Sequence, residues 1–300
     1  MSGLYRPRQP AMGCASQAVD YREYPPGGEL AGLVHCYWSF SSPRGPVDFT
    51  YRAFPDLCAD LYFDFSRFQY LKLLGIATRT IVAPMLPGSD FFGIRFAPGA
   101  IGRFFRLPLS EFQDRSPSFS DLGGNAAAEL EGRLAEARST AARVAVAEAW
   151  LLARAEKGLF ERDERFSKAL GNIYLHGGTK PVALLAEDAG LSVRQFSRLF
   201  LAGQGLQPKA FSRIVRFQRA LDLVLRHPEL AGSWAAQEAG YYDQPHFLRE
   251  FREICGELPS NVRNVQDFSR ARGDTAPQDA RYRGPHISRA RRSGWTQARS

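Results

Sequence analysis

The stretch Phe196-Ser-Arg-Leu-Phe200-Leu-Ala-Gly-Gln-Gly205-Leu-Gln-Pro208 recurs as Phe247-Leu-Arg-Glu-Phe251-Arg-Glu-Ile-Cys-Gly256-Glu-Leu-Pro259, with the same spacing of its aromatics, glycine and proline. Ahead of each copy stands a similar lead-in, Ala186-Glu-Asp-Ala189-Gly190 and Ala236-Gln-Glu-Ala239-Gly240, displaced by one residue relative to the aromatics. A short helix of small residues, a glycine turn and a second helix with aromatics four apart describe a helix-turn-helix. The small residues let two helices cross closely, and the i, i+4 aromatics face the core. Two such units in tandem point to a reader of DNA.

In the first unit the spacing predicts a helix over about Val182 to Ala189, a turn at Gly190-Leu191 and a helix over Val193 to Ala202. Ser192 followed by Gln195 is a capping-box pattern that specifies the second start. With Phe196, Leu199 and Phe200 inward, the helical period turns Arg194, Gln195, Ser197 and Arg198 outward. Arginine reaches guanine N7 and O6 with two bonds and glutamine does the same for adenine, so this set has base-reading chemistry.

The second unit repeats the scheme, with Ser233 as a cap, a helix to Ala239, a turn at Gly240 and a helix from about Asp243 to Ile254. Phe247 and Phe251 face the core and leave Gln244, His246, Arg249 and Arg252 outside. Pro245 falls in the first turn, where a missing N–H has no intrahelical partner to lose. Between the units, Pro208 opens a run ended by His227-Pro228, with Phe211, Ile214, Val215, Gln218, Leu221 and Leu225 on one face. Its length as a helix is about 28 Å, close to the roughly 34 Å turn of B-DNA, so two reading helices at that separation reach successive major grooves.

These residues resemble the AraC/XylS transcriptional regulators. The match runs through Ala186-x2-Ala189-Gly190-x-Ser192, Phe196-x-Arg198-x-Phe200, Gly205-x2-Pro208, Arg216-x2-Arg219-Ala220, Ala239-Gly240-Tyr241, His246-Phe247, Phe251, Gly256-x2-Pro259 and Arg263, over about residues 165 to 265. The resemblance implies duplex DNA, RNA polymerase and a second copy of the chain as partners. It places Arg194, Ser197 and Arg198, then Gln244, His246 and Arg249, at base-reading positions, and includes Arg263 in the interface. Departures cluster in the second unit: Trp234-Ala235-Ala236, Gly240-Tyr241, Pro245-His246-Phe247 and Val262-Arg263. In the front half, Pro55-Asp56-Leu-Cys-Ala-Asp60-Leu61 and Phe91-Phe-Gly-Ile-Arg95-Phe96-Ala-Pro98-Gly99 followed by Leu107-Pro108 resemble the cupin-like sensor half of some members. Such halves commonly bind a small effector and dimerise.

Charge agrees with this division. Residues 1 to 164 carry 18 Lys+Arg against 19 Asp+Glu, residues 165 to 266 carry 13 against 9, and residues 267 to 300 carry 8 against 3. A basic region attached to a neutral one fits a polyanion partner for the first. Cys14, Cys36, Cys58 and Cys255 show no C-x-x-C spacing and read as buried thiols in a reducing compartment. With neither a signal-peptide core nor an apolar run of membrane-spanning length, the chain is expected to work in the bacterial cytoplasm without a membrane.

From about 24 to 115 the chain consists of short apolar, aromatic or β-branched runs: Leu33 to Phe40, Phe49 to Phe54, Asp60 to Phe65, Thr80 to Val82 and Phe91 to Phe96. Runs this short between turn signals predict a closed all-β cup, enclosing a mostly apolar cavity for a small organic effector. Leu130, Leu134, Ala137, Ala141, Val144 and Leu151 follow a 3-4 alternation broken at Glu148. One helix from about Ala126 to Glu156 is therefore expected, its stripe facing either its own domain or a twin chain. The predicted class is α+β. Residues 1–20 form a disordered N-terminus and 21–160 a β-rich effector and dimerisation domain closed by helices. Residues 157 to 164 form a hinge, 161–266 the tandem helix-turn-helix domain and 267–300 a disordered basic tail.

Other chemistry is weakly supported. His35 beside Cys36 lacks a second ligand at metal spacing, and Asp56, Asp60 and Asp64 read as turn and strand-edge aspartates rather than an acid/base cluster. Gly27-Gly28 and Gly123-Gly124 are turns, since no phosphate-loop lysine follows. No catalytic residue, cofactor or metal is expected. The alternative is a cupin-like enzyme or small-molecule-binding protein with a helical interaction module. It predicts a His and acid constellation in the first 115 residues, which the sequence lacks. A redox role would require Cys36 or Cys58 to be exposed.

Overall fold

The computed structural model describes residues 5, 7–9, 19–45, 50–67, 70–105, 107–155, 164–230 and 232–262. The described residues belong to one compact unit, and the expected basic tail and most of the expected hinge lie outside them. The fold is α+β: antiparallel sheet first, then helices.

Strands β1 (Asp20–Tyr24), β2 (Val34–Ser41), β3 (Thr50–Ala53), β4 (Ala59–Asp64), β5 (Leu71–Leu74), β6 (Ile81–Pro84) and β7 (Asp90–Phe96) make two antiparallel sheets. One has the order β1-β2-β7-β4-β5, and β3 pairs with β6 alone. The expected closed cup is thus a five-stranded sheet with β1 and β5 as edges, beside a two-stranded ribbon. Four-residue β3 and β6 satisfy each other's backbone, and the outer side of β5 is bridged by the segment around Ser118, with the Leu73 N–H donating to the Pro117 carbonyl at 3.1 Å and the Phe119 N–H to that of Leu71 at 2.8 Å. Central β7 lies against Trp38 of β2. A side chain at Gly93 would bring its Cβ within 2.1 Å of the Trp38 ring, so only glycine fits there.

The expected helix over 126–156 is two helices, α1 (Ser120–Glu136) and α2 (Thr140–Ala155). The break has a local cause: the Ser139 hydroxyl accepts from the Ala142 N–H at 3.2 Å and starts a new helix. Leu130 and Leu134 of α1 and Ala147, Trp150 and Leu151 of α2 are buried in one core with Tyr37, Leu61, Phe63 and Phe92 of the sheet. Leu130, Leu134, Val144 and Leu151 of the apolar stripe are therefore spent within their own chain, while Ala141 is exposed. Glu148, which interrupted the stripe, accepts the Gly27 N–H at 2.6 Å.

Among the described residues seven further α-helices follow: α3 (Glu164–Leu175), α4 (Val182–Asp188), α5 (Val193–Gln204), α6 (Pro208–Arg226), α7 (Ser233–Glu238), α8 (Gln244–Cys255) and α9 (Pro259–Val262). They bury two cores. Phe196, Phe200, Phe211 and Ile214 pack with α3 and α4 in the first, and Phe217, Leu221, Phe247 and Phe251 pack with α7 in the second. Each core takes in residues of the β-rich half: Leu57 and Ile76 in the first, Phe54 in the second.

The N-terminus differs from its expectation at the residues described. Tyr5 stacks on Tyr174 at 4.8 Å and its hydroxyl donates to the Asp56 carbonyl, while the Arg8 N–H donates to Gln218 Oε1 at 2.7 Å. Gln9 exchanges two bonds with the backbone of Phe54. A polar segment with little apolar content is held by hydrogen bonds and one aromatic stack, which composition does not display.

Candidate nucleic-acid interface

Helix α5 begins on a formed capping box. Ser192 Oγ accepts from the Gln195 N–H at 3.3 Å, and Gln195 Oε1 accepts from the Ser192 N–H at 3.1 Å. Phe196 and Phe200 are fully buried, and Phe200 meets Phe211 of α6 edge-on at 5.0 Å. With that face fixed, Arg194 and Arg198 are exposed and Ser197 is half-buried on the opposite side. Gln195 is also exposed, but its carboxamide oxygen is engaged in the cap.

Helix α8 is built likewise, one residue later. Asp243 is the cap rather than the first helical residue, accepting from the His246 N–H at 2.7 Å, and Pro245 sits in the first turn. Gly232, not Ser233, precedes α7 as its cap residue, with no side-chain bond. Counting from Ala189 and Ala239, the second turn holds one residue more than the first. The extra residue is Tyr242, 94% exposed, and it accounts for the displaced lead-in. Gln244, Arg249 and Arg252 are exposed. His246 is half-buried, edge-on to the Tyr241 ring at 5.5 Å, with Nε2 3.8 Å from Glu250. Arg263 lies outside the described residues.

Glu250, which the sequence reading did not single out, joins α8 to α6. Its buried carboxylate takes Arg216 at 2.7 and 3.0 Å and Arg213 at 3.0 Å, and Arg213 reaches on to Glu253 at 3.0 Å. Arg216 also lies over the Tyr241 ring at 4.8 Å. The counterpart of Glu250 in the first unit is Leu199, and an acid at a core-facing position was the available signal. A buried carboxylate is tolerated only where paired and hydrogen-bonded, as here.

Helices α6 and α8 and the segment before α4 enclose a groove of about 990 Å³. Its cations are Lys180, Lys209, Arg213, Arg216, Arg249 and Arg252, and its acids are Glu250 and Glu253. Lys180 is bound to Asp188 at 2.6 Å, and that bond holds the Asp188 carboxyl below its usual range.

The β-rich half touches both units at the far ends of α5 and α8. Gly205, which ends α5 at φ 72°, abuts the turn Leu109–Phe112, and a Cβ there would come within 2.8 Å of Leu109. At α8, Thr80 donates to the Ile254 carbonyl and Arg52 pairs with Glu257 at 3.4 Å.

Within that half the aromatics expected to surround a cavity pack on one another: Phe96 with Phe104 at 5.4 Å, Phe105 with Phe119 at 4.9 Å and Phe105 with Trp150 at 5.6 Å. Asp60 is not a strand-edge aspartate. It is buried in β4 and bonds Arg95 and Trp38, each at 3.1 Å, with Asp56 3.9 Å from the same guanidinium. Burial raises the Asp60 carboxyl above its usual range, and Arg95 opposes that rise. Asp64 closes a turn by accepting from the Ser66 and Arg67 N–H groups. Cys36, Cys58 and Cys255 are buried, and burial raises all three thiols, Cys255 to about 12. The exposed-thiol reading of Cys36 and Cys58 is therefore set aside; Cys14 lies outside the described residues.

Residues 185–264 match the family described as a helix-turn-helix domain, and residues 22–118 match a domain family of unknown function. No curated protein matches the chain significantly. Among solved structures, a probable AraC family transcriptional regulator from Rhodopseudomonas palustris is 25% identical, covering 35% of this chain and 98% of its own, with a TM-score of 0.30. ToxT from Vibrio cholerae is 9% identical, covering 84% of this chain and 99% of its own, with a TM-score of 0.39. Another ToxT structure, bound to an unsaturated fatty acid, is 10% identical over 83% of this chain and 96% of its own, with a TM-score of 0.35.

Proposed function

We propose, from the premise that residues 185–264 are a helix-turn-helix domain of the AraC/XylS type, that this DNA-binding transcription regulator reads a two-part site with α5 and α8. The observation that carries the reading is the parallel build of the two helices. Each starts on a side-chain cap, turns two phenylalanines inward and ends on a left-handed glycine, and one 19-residue helix joins them. Caps and aromatics fix the rotation of each helix, so Arg194, Ser197 and Arg198, and Gln244, Arg249 and Arg252, face outward together. Gln195 and His246 belong to the same interface. Each takes a supporting part in the free protein, one in the cap and the other against Tyr241.

The β-rich half is the regulatory half in this reading. It touches the ends of α5 and α8, so a change in that half biases both reading helices, which is what coupling between two sites requires. A small, largely apolar or aromatic organic effector is the signal that the aromatic content of this half fits best. The ring-on-ring packing of its core favours a second reading, in which the half docks a twin chain or RNA polymerase instead. The protein would act as a homodimer in the bacterial cytoplasm and carry out no chemical step.

Selection of binding sites from random duplexes with the full chain tests the reading. Two short elements about one helical turn apart are expected; enrichment of a single short element, or of none, counts against it. Substitutions on the β half of the full chain, which keep Phe54, Leu57 and Ile76 in the helical cores, separate the two roles of that half. Loss of a ligand response supports the effector, whereas loss of the dimer or of polymerase contact supports docking.

A further inference from the structure

The groove between the two units sorts its cations into two kinds. Lys180 is tied to Asp188, and Arg213 and Arg216 are tied to Glu250 and Glu253. Lys209 at the start of α6 and Arg249 and Arg252 on α8 are exposed, and none has an acid partner among the described residues; the family resemblance places Arg249 at a base-reading position, which leaves Lys209 and Arg252. Lys209 and Arg213 stand one turn apart on the same helix, so their difference lies in the acids beside them and not in their location. Arg216 and Glu250 neutralise each other in the floor, and the net positive charge is left at the rim.

We propose that this groove seats the sugar–phosphate backbone that runs between the two half-sites, with Lys209 and Arg252 as its phosphate-binding residues and Arg213 and Arg216 held out of that role by Glu250. The proposal rests on the two-part DNA reading above. One wall of the groove is α8, the second reading helix, and the other is the chain leading into the first unit, so backbone passing from one reading helix to the other crosses α6 here. A cation already bonded to a buried carboxylate releases little counterion when DNA binds, because breaking its pair costs what the phosphate returns. An unpaired cation contributes its full share. Arg252, which the sequence placed among candidate base readers, thereby becomes a positioning residue, and Lys209 gains a role that no repeat or motif in the sequence gives it.

The test is the slope of log affinity against log salt for the full chain, measured on a mixed-sequence duplex about three helical turns long and on a selected site. Lys209→Gln and Arg252→Gln should each lower the steepness by about 0.9 and weaken both duplexes several-fold and equally, and the double variant should lower it by about 1.8. Lys209→Arg should restore the wild-type slope. Lys180→Gln and Arg213→Gln should leave the slope within error of wild type. All four positions are exposed or half-buried, so these variants are expected to fold, and circular dichroism on each sample checks this. A slope unchanged by Lys209→Gln, or lowered as much by Arg213→Gln, overturns the proposal while wild-type binding stands. A wild-type chain that shows no salt-dependent binding overturns the DNA reading itself.

Discussion

Thr80 donates twice to one atom: its backbone N–H and its hydroxyl both reach the carbonyl oxygen of Ile254, at 2.9 and 3.0 Å. Ile254 lies in the last turn of α8, where helix carbonyls have no partner of their own. The loop before β6 thus completes α8, and the β-rich half is joined to that helix by backbone geometry.

Thr80→Val keeps the N–H and removes the hydroxyl. It should cost about 0.5–1.5 kcal/mol of stability in denaturant unfolding and alter preference at the second half-site more than at the first. Equal change at both half-sites would show that the contact does not act through α8.

Under the proposed reading, Arg198→Ala should weaken binding to the selected site by about 1–3 kcal/mol and relax preference at one base pair, because an exposed arginine on α5 has the chemistry for bidentate guanine recognition. Competition with single-base variants of the site reads this directly. Unchanged specificity would remove Arg198 from the reading set.

Phe200→Ala and Phe251→Ala should each destabilise the protein by about 3–5 kcal/mol, since both rings are fully buried among other aromatics. Thermal or denaturant unfolding measures the loss. A drop below about 1 kcal/mol would contradict their place in the two cores.

Arg95→Met should be as costly, about 3–5 kcal/mol, because it strands Asp60 as a buried carboxylate without its counter-ion. Asp60→Asn combined with Arg95→Met should recover part of that loss. Failure of the second change to help would show that the pair is not coupled.

The second unit is expected to contribute position more than discrimination. His246 is drawn against Tyr241 and near Glu250, and Pro245 replaces a backbone donor at the start of α8. Footprinting with mutated half-sites should show smaller losses for the second than for the first.

Much of the reading end was legible because its signals are local. Ser192 with Gln195, Gly205, Pro208 and the paired phenylalanines specify starts, stops and faces within a few residues, and α4, α5 and α6 lie where those residues put them. Helix α3 was not read, although Ala169, Leu170 and Ile173 are buried at helical spacing. Its start follows residues outside the described set, in the charged run 161–164 that the sequence suggests as a hinge, where Asp163 is of a residue type that caps helices. Long-range features were not legible either. The break at Ser139 is a local cap that the continuing apolar spacing masked, whereas the Glu250 clasp and the burial of Phe54, Leu57 and Ile76 in the helical cores depend on partners far away in sequence. For the same reason the aromatic runs of the front half predicted strands but not whether their rings would surround a space or fill it.

The central claim, that one chain presents two reading helices to one face of a duplex, is tested most directly by hydroxyl-radical footprinting of the full chain on its selected site at rising salt. The account predicts two protected patches about one helical turn apart on the same face, fading together steeply as salt increases. A single protected patch, or protection that does not change between low and physiological salt, would contradict it.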